Sequence, residues 1–310
     1  GGSGEVLLFS FGVISDIQYA DEEDNFNFDK SRKRYYRNTL ALLDEAVTEW
    51  NSEKLEFVLQ VGDMIDGKCE GYSNQALETV MELWKPLKVP LYHAIGNHEL
   101  YNFSRSEIGK WFGTEFYYDF TPAPGFRVVV LNSFDRSVLW KDEEDYTELC
   151  YSYFEPKNPN DLRTEGVDWC KGLSGPDKRF IPYNGGIGEE QMKWLEQVLL
   201  TADENKEKVI LASHCQLQTG CSSDATLLWN YEDVLDIIHK HNCVVCCLYG
   251  HDHAGGYCID SKNIHHFTLP APLESKPNSN AFATIDVYPS KLEVRGRGDI
   301  SNSTFPFRGQ

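Results

Sequence analysis

With 48 Asp and Glu against 29 Lys and Arg in 310 residues, a formal charge of −19, the chain lacks the basic face that displaces counterions from nucleic acid. Its length suits one large α/β domain or two modest ones, and no run reaches the roughly 18 apolar residues of a membrane span. A soluble protein without nucleic-acid or membrane partners is expected, and an anionic substrate would need a local source of positive charge such as bound metal.

Residues 6–14 (VLLFSFGVI) form a near-continuous apolar run, the pattern of a strand buried on both faces. The run imitates a secretory core, but no basic segment precedes it and no small-residue cleavage site follows. Gly1-Gly2-Ser3-Gly4 reads as an expression-tag remnant. Residues 33–51 carry helical spacing through Leu40, Leu43, Val47 and Trp50. A strand at 57–61 leads to a helix at 73–84, with Leu77, Val80, Met81 and Trp84 on one face, Ser73 as a cap and Pro86 as a stop. Strands at 91–95 and 126–131 continue an alternation that implies a largely parallel sheet with right-handed crossovers.

Residues 134–186 break the rhythm. Rich in charge, Tyr, Pro and Gly and without a sustained period, they are too long for an ordinary connection and read as a loop-rich insertion near the site. Regularity resumes with a helix at 189–200, a strand at 209–212, a helix at 231–241 and a strand at 244–249. Strands at 266–269, 281–287 and 292–295 follow, the last two paired antiparallel across Tyr288-Pro289-Ser290-Lys291. Without an internal repeat, one domain over 5–310 is the simplest account.

Nine cysteines, odd in number and partly inside apolar runs, fit the reduced thiols of a cytoplasmic protein better than a disulfide framework. Cys243 and Cys246 make a lone C-x-x-C that overlaps a strand, so no zinc role is assigned. Gly185, Gly186 and Gly188 lack the spacing and lysine of a P-loop and read as a connector.

Five clusters each follow an apolar run directly: Asp16-Ile17-Gln18, Gly62-Asp63-Met64-Ile65-Asp66, Gly96-Asn97-His98-Glu99, Ser213-His214 and Gly250-His251-Asp252-His253. Ligands in open α/β sheets bind beyond the carboxyl ends of strands, so these residues can converge on one sheet edge. Each alone reads as a turn, a cap or a satisfied core histidine. Together, carboxylate and amide oxygens with imidazoles and no thiolate suit two adjacent divalent cations.

In order, spacing and strand context over residues 16–253, this series resembles the calcineurin-like metallophosphoesterases. The resemblance implies a four-layer αββα sandwich of two mixed β-sheets flanked by helices, with a dinuclear site along one edge. It implies Asp16, Gln18, Asp63 and His253 around one cation and Asp63, Asn97, His214 and His251 around the other, Asp63 bridging. Two dications against two carboxylates and a bridging hydroxide nucleophile would leave about one positive charge to receive a phosphoryl oxyanion. His98 is implied to face that group and to stabilise its charge or protonate the leaving oxygen, while Asp66 reads as a supporting or turn-forming residue.

The usual first motif of such enzymes is D-x-H, and here Gln18 stands in place of the histidine. A neutral amide oxygen shifts preference towards Mn²⁺, with Mg²⁺ as substitute. Together with residues 19–37 and the chain length, the glutamine form resembles the manganese-dependent ADP-ribose/CDP-alcohol diphosphatases. That implies cleavage of the pyrophosphate in nucleoside diphosphate derivatives, such as ADP-ribose, CDP-choline or CDP-glycerol, to a nucleoside monophosphate and a phosphorylated sugar or alcohol. Phe28, with Phe26, would offer an aromatic face to the base. Arg34, with Arg32, Lys33 and Arg37 at the start of a helix, would reach the second phosphate. A cyclic-nucleotide phosphodiesterase, a phosphoprotein phosphatase and a non-catalytic scaffold on the same fold stay open, and a monomer is favoured.

Overall fold

The computed structural model describes residues 4–309; residues 1–3, within the expected tag remnant, and Gln310 lie outside the described residues. The chain runs through β1 (Phe9–Ile14), β2 (Asn25–Phe26), β3 (Lys33–Arg34), α1 (Thr39–Asn51), β4 (Phe57–Gln60), α2 (Ser73–Trp84) and β5 (Leu91–His93). Then come α3 (Asn97–Asn102), α4 (Arg105–Phe112), β6 (Tyr118–Ala123), β7 (Phe126–Val130), α5 (Glu144–Phe154), α6 (Glu189–Glu204) and β8 (Lys208–Ser213). The last part holds α7 (Tyr231–His239), β9 (Val244–Tyr249), β10 (Gly256–Ile259), β11 (His265–Thr268), β12 (Ala281–Val287), β13 (Lys291–Gly298) and β14 (Ser303–Pro306).

Two six-stranded mixed sheets result, in the orders β14-β13-β12-β1-β4-β5 and β10-β11-β9-β8-β7-β6. In the first, β1, β4 and β5 are parallel; in the second, β7, β8, β9 and β11 are. Strand alternation decides the layers. Phe11, Val13, Phe57 and Leu59 of the first sheet share a core with Val128, Val130, Ile210 and Leu248 of the second, and the Phe9 and Phe126 rings meet edge-on across it at 5.5 Å. The alternate residues Val58, Val129, Leu211 and Cys247 pack instead with helical side chains such as Leu43, Leu77, Leu195 and Ile238. Strands covered on both faces explain the uninterrupted apolar runs, and the αββα sandwich implied by the sequence is the fold observed.

Several elements differ from their sequence reading. The helix expected from residue 33 begins only at Thr39. Lys33 and Arg34 pair with Phe26 and Asn25 as a strand, and Tyr35 N–H donates to the Leu273 carbonyl at 2.8 Å, so the backbone before α1 is committed to distant partners. The cationic run therefore lies on a hairpin. Residues 134–186 contain the missed helix α5, whose Cys150 and Phe154 pack with Leu162, Phe180, Ile181 and Trp229 in a small satellite core. β6, β10 and β14 were missed because they are edge strands without a clean buried face. β1 starts at Phe9, leaving Val6, Leu7 and Leu8 exposed. Ser73 does not cap α2; its hydroxyl donates to Asn102 Oδ1 at 2.7 Å. All nine cysteines are free thiols. No helix among the described residues is long and apolar enough to cross a membrane.

Trp50 fastens α1 to the first sheet. Its ring stacks on Trp84 of α2 at 6.1 Å and its Nε1–H donates to the Ala283 carbonyl at 3.3 Å. That position exists because β1 carries Gly12, where a Cβ would lie 2.5 Å from the indole. Gly12→Ala should therefore destabilise the fold by about 1–3 kcal/mol, as overpacking does. Adding Trp50→Phe to it should cost less than the two single changes summed, read by urea titration.

Candidate metal centre

The predicted ligand clusters follow β1, β4, β5, β8 and β9. Three of these strands belong to the first sheet and two to the second, so the clusters meet at the seam between two sheets, not along the edge of one. Backbone bonds stitch the ends together: Asp16 N–H to Gly62 O at 3.0 Å, Gln18 N–H to Asp63 O at 2.9 Å and Gly250 N–H to His214 O at 3.2 Å. Across the seam, His251 N–H donates to Asp16 Oδ2 at 3.0 Å. Asp16, Gln18, Asp63 and His251 all adopt left-handed φ, at 59°, 46°, 61° and 70°. Each costs on the order of 1–3 kcal/mol, and such strain concentrates at functional sites. Gly96 leads its motif because a Cβ there would stand 2.1 Å from Asp63 Oδ1.

Each imidazole has one nitrogen committed outward. His214 Nδ1 meets the Val61 carbonyl at 2.7 Å, His251 Nε2 meets Asn184 Oδ1 at 2.6 Å, and His253 Nδ1 meets the Glu274 carboxylate. The Asn184 orientation is settled because its Nδ2 donates to the carbonyls of Arg179 and Ala225 at 3.0 and 2.7 Å. These acceptors hold the N–H, so the lone pairs of His214 Nε2, His251 Nδ1 and His253 Nε2 are the ones left for the interior. Gln18 follows the same logic: its Nε2 donates to Asp66 Oδ2 at 2.8 Å, leaving Oε1. Asp66 also accepts Lys68 N–H on Oδ1 at 2.9 Å, so it both supports Gln18 and forms the turn.

The remaining atoms fit a pair of divalent cations. Asp16 Oδ1, Gln18 Oε1, Asp63 Oδ2, Asn97 Oδ1 and His214 Nε2 are buried without any hydrogen-bond partner in the protein, a state that buried polar atoms rarely keep unless an ion or water satisfies them. His214 Nε2 lies 3.0 Å from Asp63 Oδ2, and His253 Nε2 lies 3.4 Å from Asp16 Oδ1. Ligand atoms of Asp63, His214 and His251 fall within 4.8 Å of one another. Oxygen and imidazole donors without thiolate match Mn²⁺ and its neighbours.

Electrostatics separates the titrating groups. Burial would lower the His214 pKa, but the charges of Asp63 and Asp16 outweigh it and raise it to about 10. Burial likewise opposes His253, but its contact with the Asp16 carboxylate at 3.4 Å and its bond to Glu274 raise it to about 9. His251 is driven well below its ordinary value by burial and by the His214 charge. Asp16 is held far below the carboxylate range: burial would raise it, and His214 and His253 prevail.

His98 is not among the predicted ligands but touches one of them, its Nε2 lying 3.3 Å from Gln18 Nε2. Its Nδ1 accepts Gly67 N–H at 2.9 Å, so the neutral ring carries its proton on Nε2. The ring lines a cavity of about 390 Å³ together with Asp63, Asn97, His251 and His253. Phe28, three-quarters exposed, and Arg34 also line it, so both predicted substrate residues share the pocket of the predicted ligands. Sequence reasoning missed Asn184, inside the supposed insertion, and Glu274, inside a Pro/Asn/Ser-rich loop. Neither position carries a motif; only their acceptor chemistry and the fold select them.

The Calcineurin-like phosphoesterase family model matches residues 9–255. A human protein named manganese-dependent ADP-ribose/CDP-alcohol diphosphatase is 41% identical over 97% of this chain and 93% of its own length. The protein of that name from Arabidopsis thaliana is 41% identical over 98% and 99%. Among solved structures, a dimetal phosphatase from Danio rerio superposes with a TM-score of 0.92 at 36% identity, covering 98% of this chain and all of that one.

An Asn at position 66 has one acceptor oxygen where Asp66 uses two. Asp66→Asn should therefore release either Lys68 N–H or the Gln18 amide and weaken Mn²⁺ binding about 10- to 100-fold, measured by titration calorimetry. In chelator-treated protein, the raised pKa values of His214 and His253 make the folded state hold protons that the unfolded chain loses above about 6.5. The contribution of these two histidines should be full below pH 6.5 and be lost as pH rises through about 9 to 10. Urea melts showing a flat or rising profile would contradict this; saturating Mn²⁺ should abolish the fall.

Proposed function

Because the chain belongs to the calcineurin-like phosphoesterase family and, within it, to the manganese-dependent ADP-ribose/CDP-alcohol diphosphatases, we propose that it hydrolyses the pyrophosphate of nucleoside diphosphate derivatives with two Mn²⁺ ions. ADP-ribose, CDP-choline and CDP-glycerol are the substrates considered, and a nucleoside monophosphate with a phosphorylated sugar or alcohol is the product pair. One observation carries this reading: five residues of the motif series each keep a buried, partnerless ligand atom, and two of them, Asp63 and Asn97, line a cavity walled by arginines and an exposed aromatic ring.

In this proposal Asp16, Gln18, Asp63 and His253 hold one cation, and Asp63, Asn97, His214 and His251 hold the other. When bound, the cations offset phosphoryl charge and make a water acidic enough to attack near neutral pH. His98 presents Nε2–H to a phosphoryl or leaving oxygen, a role open to it because Gly67 occupies Nδ1. Arg32 and Arg34 face a single carboxylate, Glu274, and so retain net positive charge for the second phosphate. Phe28 offers its face to the base at the mouth. The complete donor set, with each tautomer fixed, weighs against a non-catalytic scaffold. Every side chain of the site comes from one chain, so a monomer suffices, and nine unpaired thiols suit the reducing cytoplasm.

With Mn²⁺, purified protein should hydrolyse ADP-ribose or the CDP-alcohols in preference to 3′,5′-cyclic AMP and a phosphopeptide; preference for either control moves the assignment to the other phosphoesterase classes. His98→Ala should lower kcat about 10²- to 10⁴-fold while the Mn²⁺ content, by elemental analysis, stays unchanged. Loss of metal along with activity would assign His98 to the ligand set instead.

A further inference from the structure

Glu274 is a buried carboxylate with work on both sides of the pocket. Its side chain is 2% exposed and stands at the end of a single 3-10 turn, Pro272–Glu274, wedged between two functional segments. On one side, Ala271 N–H donates to the His253 carbonyl at 3.1 Å, and His253 Nδ1 bonds Glu274 Oε2. On the other, Tyr35 N–H donates to Leu273 O at 2.8 Å, Arg32 Nε bonds Glu274 Oε1, and Arg34 Nε lies 3.5 Å from Oε2 without making a hydrogen bond.

The hairpin on that second side depends on such anchors. β2 and β3 pair over only two residues each, and an isolated two-stranded hairpin is marginal in water. Its loop carries Phe28, and its second strand carries Arg34. Arg32 and Arg34 would repel each other without an intervening anion. Each Glu274 oxygen is met by a donor, Arg32 Nε on Oε1 and His253 Nδ1 on Oε2, so one carboxylate answers both sides.

We propose that Glu274 is a positioning residue whose single carboxylate couples the orientation of the metal-facing imidazole His253 to the placement of the β2–β3 hairpin, making cation binding and formation of the second-phosphate site one linked event. A cation on His253 Nε2 would polarise its Nδ1–H, and the same carboxylate that answers this also holds Arg32 by a hydrogen bond and Arg34 by charge. The inference rests on the proposed diphosphatase reading for the identity of the anion. Its mechanical part does not.

The test uses full-length Glu274→Gln, which offers one acceptor oxygen and no charge, and Glu274→Asp, which keeps the charge on a shorter stem, with circular dichroism to confirm folding. Hydrogen exchange of amides 25–35 and the count of free Mn²⁺ by electron paramagnetic resonance are read without turnover. In the unaltered protein, Mn²⁺ should slow exchange in the hairpin. In Glu274→Gln that slowing should vanish, Mn²⁺ affinity should fall about tenfold, and KM for ADP-ribose should rise about tenfold. KM for bis(4-nitrophenyl) phosphate, which lacks a second phosphate, should move less than about twofold, and kcat at saturating Mn²⁺ less than about threefold. Glu274→Asp should recover part of each effect. An Arg32→Ala/Arg34→Ala double variant should reproduce the loosened hairpin. Lost Mn²⁺ affinity with an unchanged hairpin, or a loosened hairpin with unchanged Mn²⁺ affinity, overturns the coupling. Absence of ADP-ribose hydrolysis by the unaltered protein would sink the diphosphatase reading while the exchange and Mn²⁺ readouts still decide the coupling.

Discussion

Asp16 and Asp63 are each 1% exposed, and an ionised carboxylate so placed costs many kcal/mol unless the protein surrounds it with donors. Most of the architecture at the sandwich seam answers that demand. Asp16 Oδ2 receives the Ser15 hydroxyl at 2.5 Å and the His251 backbone N–H; Asp63 Oδ1 receives the His98 N–H at 2.8 Å. One oxygen of each aspartate is thereby satisfied by the protein and the other is not, so each carboxylate is half anchored and half available. Positive charge must come from His214 and His253 in the absence of metal, and from cations when they bind.

This division of labour also explains the strain. To turn a carboxylate inward straight after a buried strand, the backbone at Asp16 and Asp63 enters a left-handed conformation, and the bonds between segments hold it there. Since Asp16 comes from the first sheet and His251 from the second, the hydrogen bond joining them makes the metal centre a clamp between the layers. Metal affinity and sandwich packing are consequently linked: a shift of one sheet relative to the other displaces ligands on both sides.

A second ring of residues turns a ligand set into a defined site. Val61, Asn184 and Glu274 choose the tautomers of His214, His251 and His253, and Asp66 chooses the amide face of Gln18. Asn184 also shows what residues 134–186 contribute. Packed through Phe154 and Phe180 against Trp229, that segment carries Asn184 to His251 and Tyr183 to the cavity wall. In that sense it completes the site.

The parallel strands that lead to the site and the convergence of the predicted ligand residues were legible in the chain, because each such residue follows an apolar run within a few residues and strand direction alone sends it to a common end. Gln18 was legible as a departure from the usual motif for the same local reason. The hairpin at Lys33 and Arg34 was not: its backbone is held by Leu273, some 240 residues away, and a cationic run before a helix looks like the helix's first turn. Asn184 and Glu274 were equally silent, since an amide or carboxylate in a polar loop has no period or motif. Sequence by itself determined which atoms could bind metal, whereas only the tertiary structure decided which acceptors would orient them, because a hydrogen-bond partner is selected by proximity in space after the chain has closed.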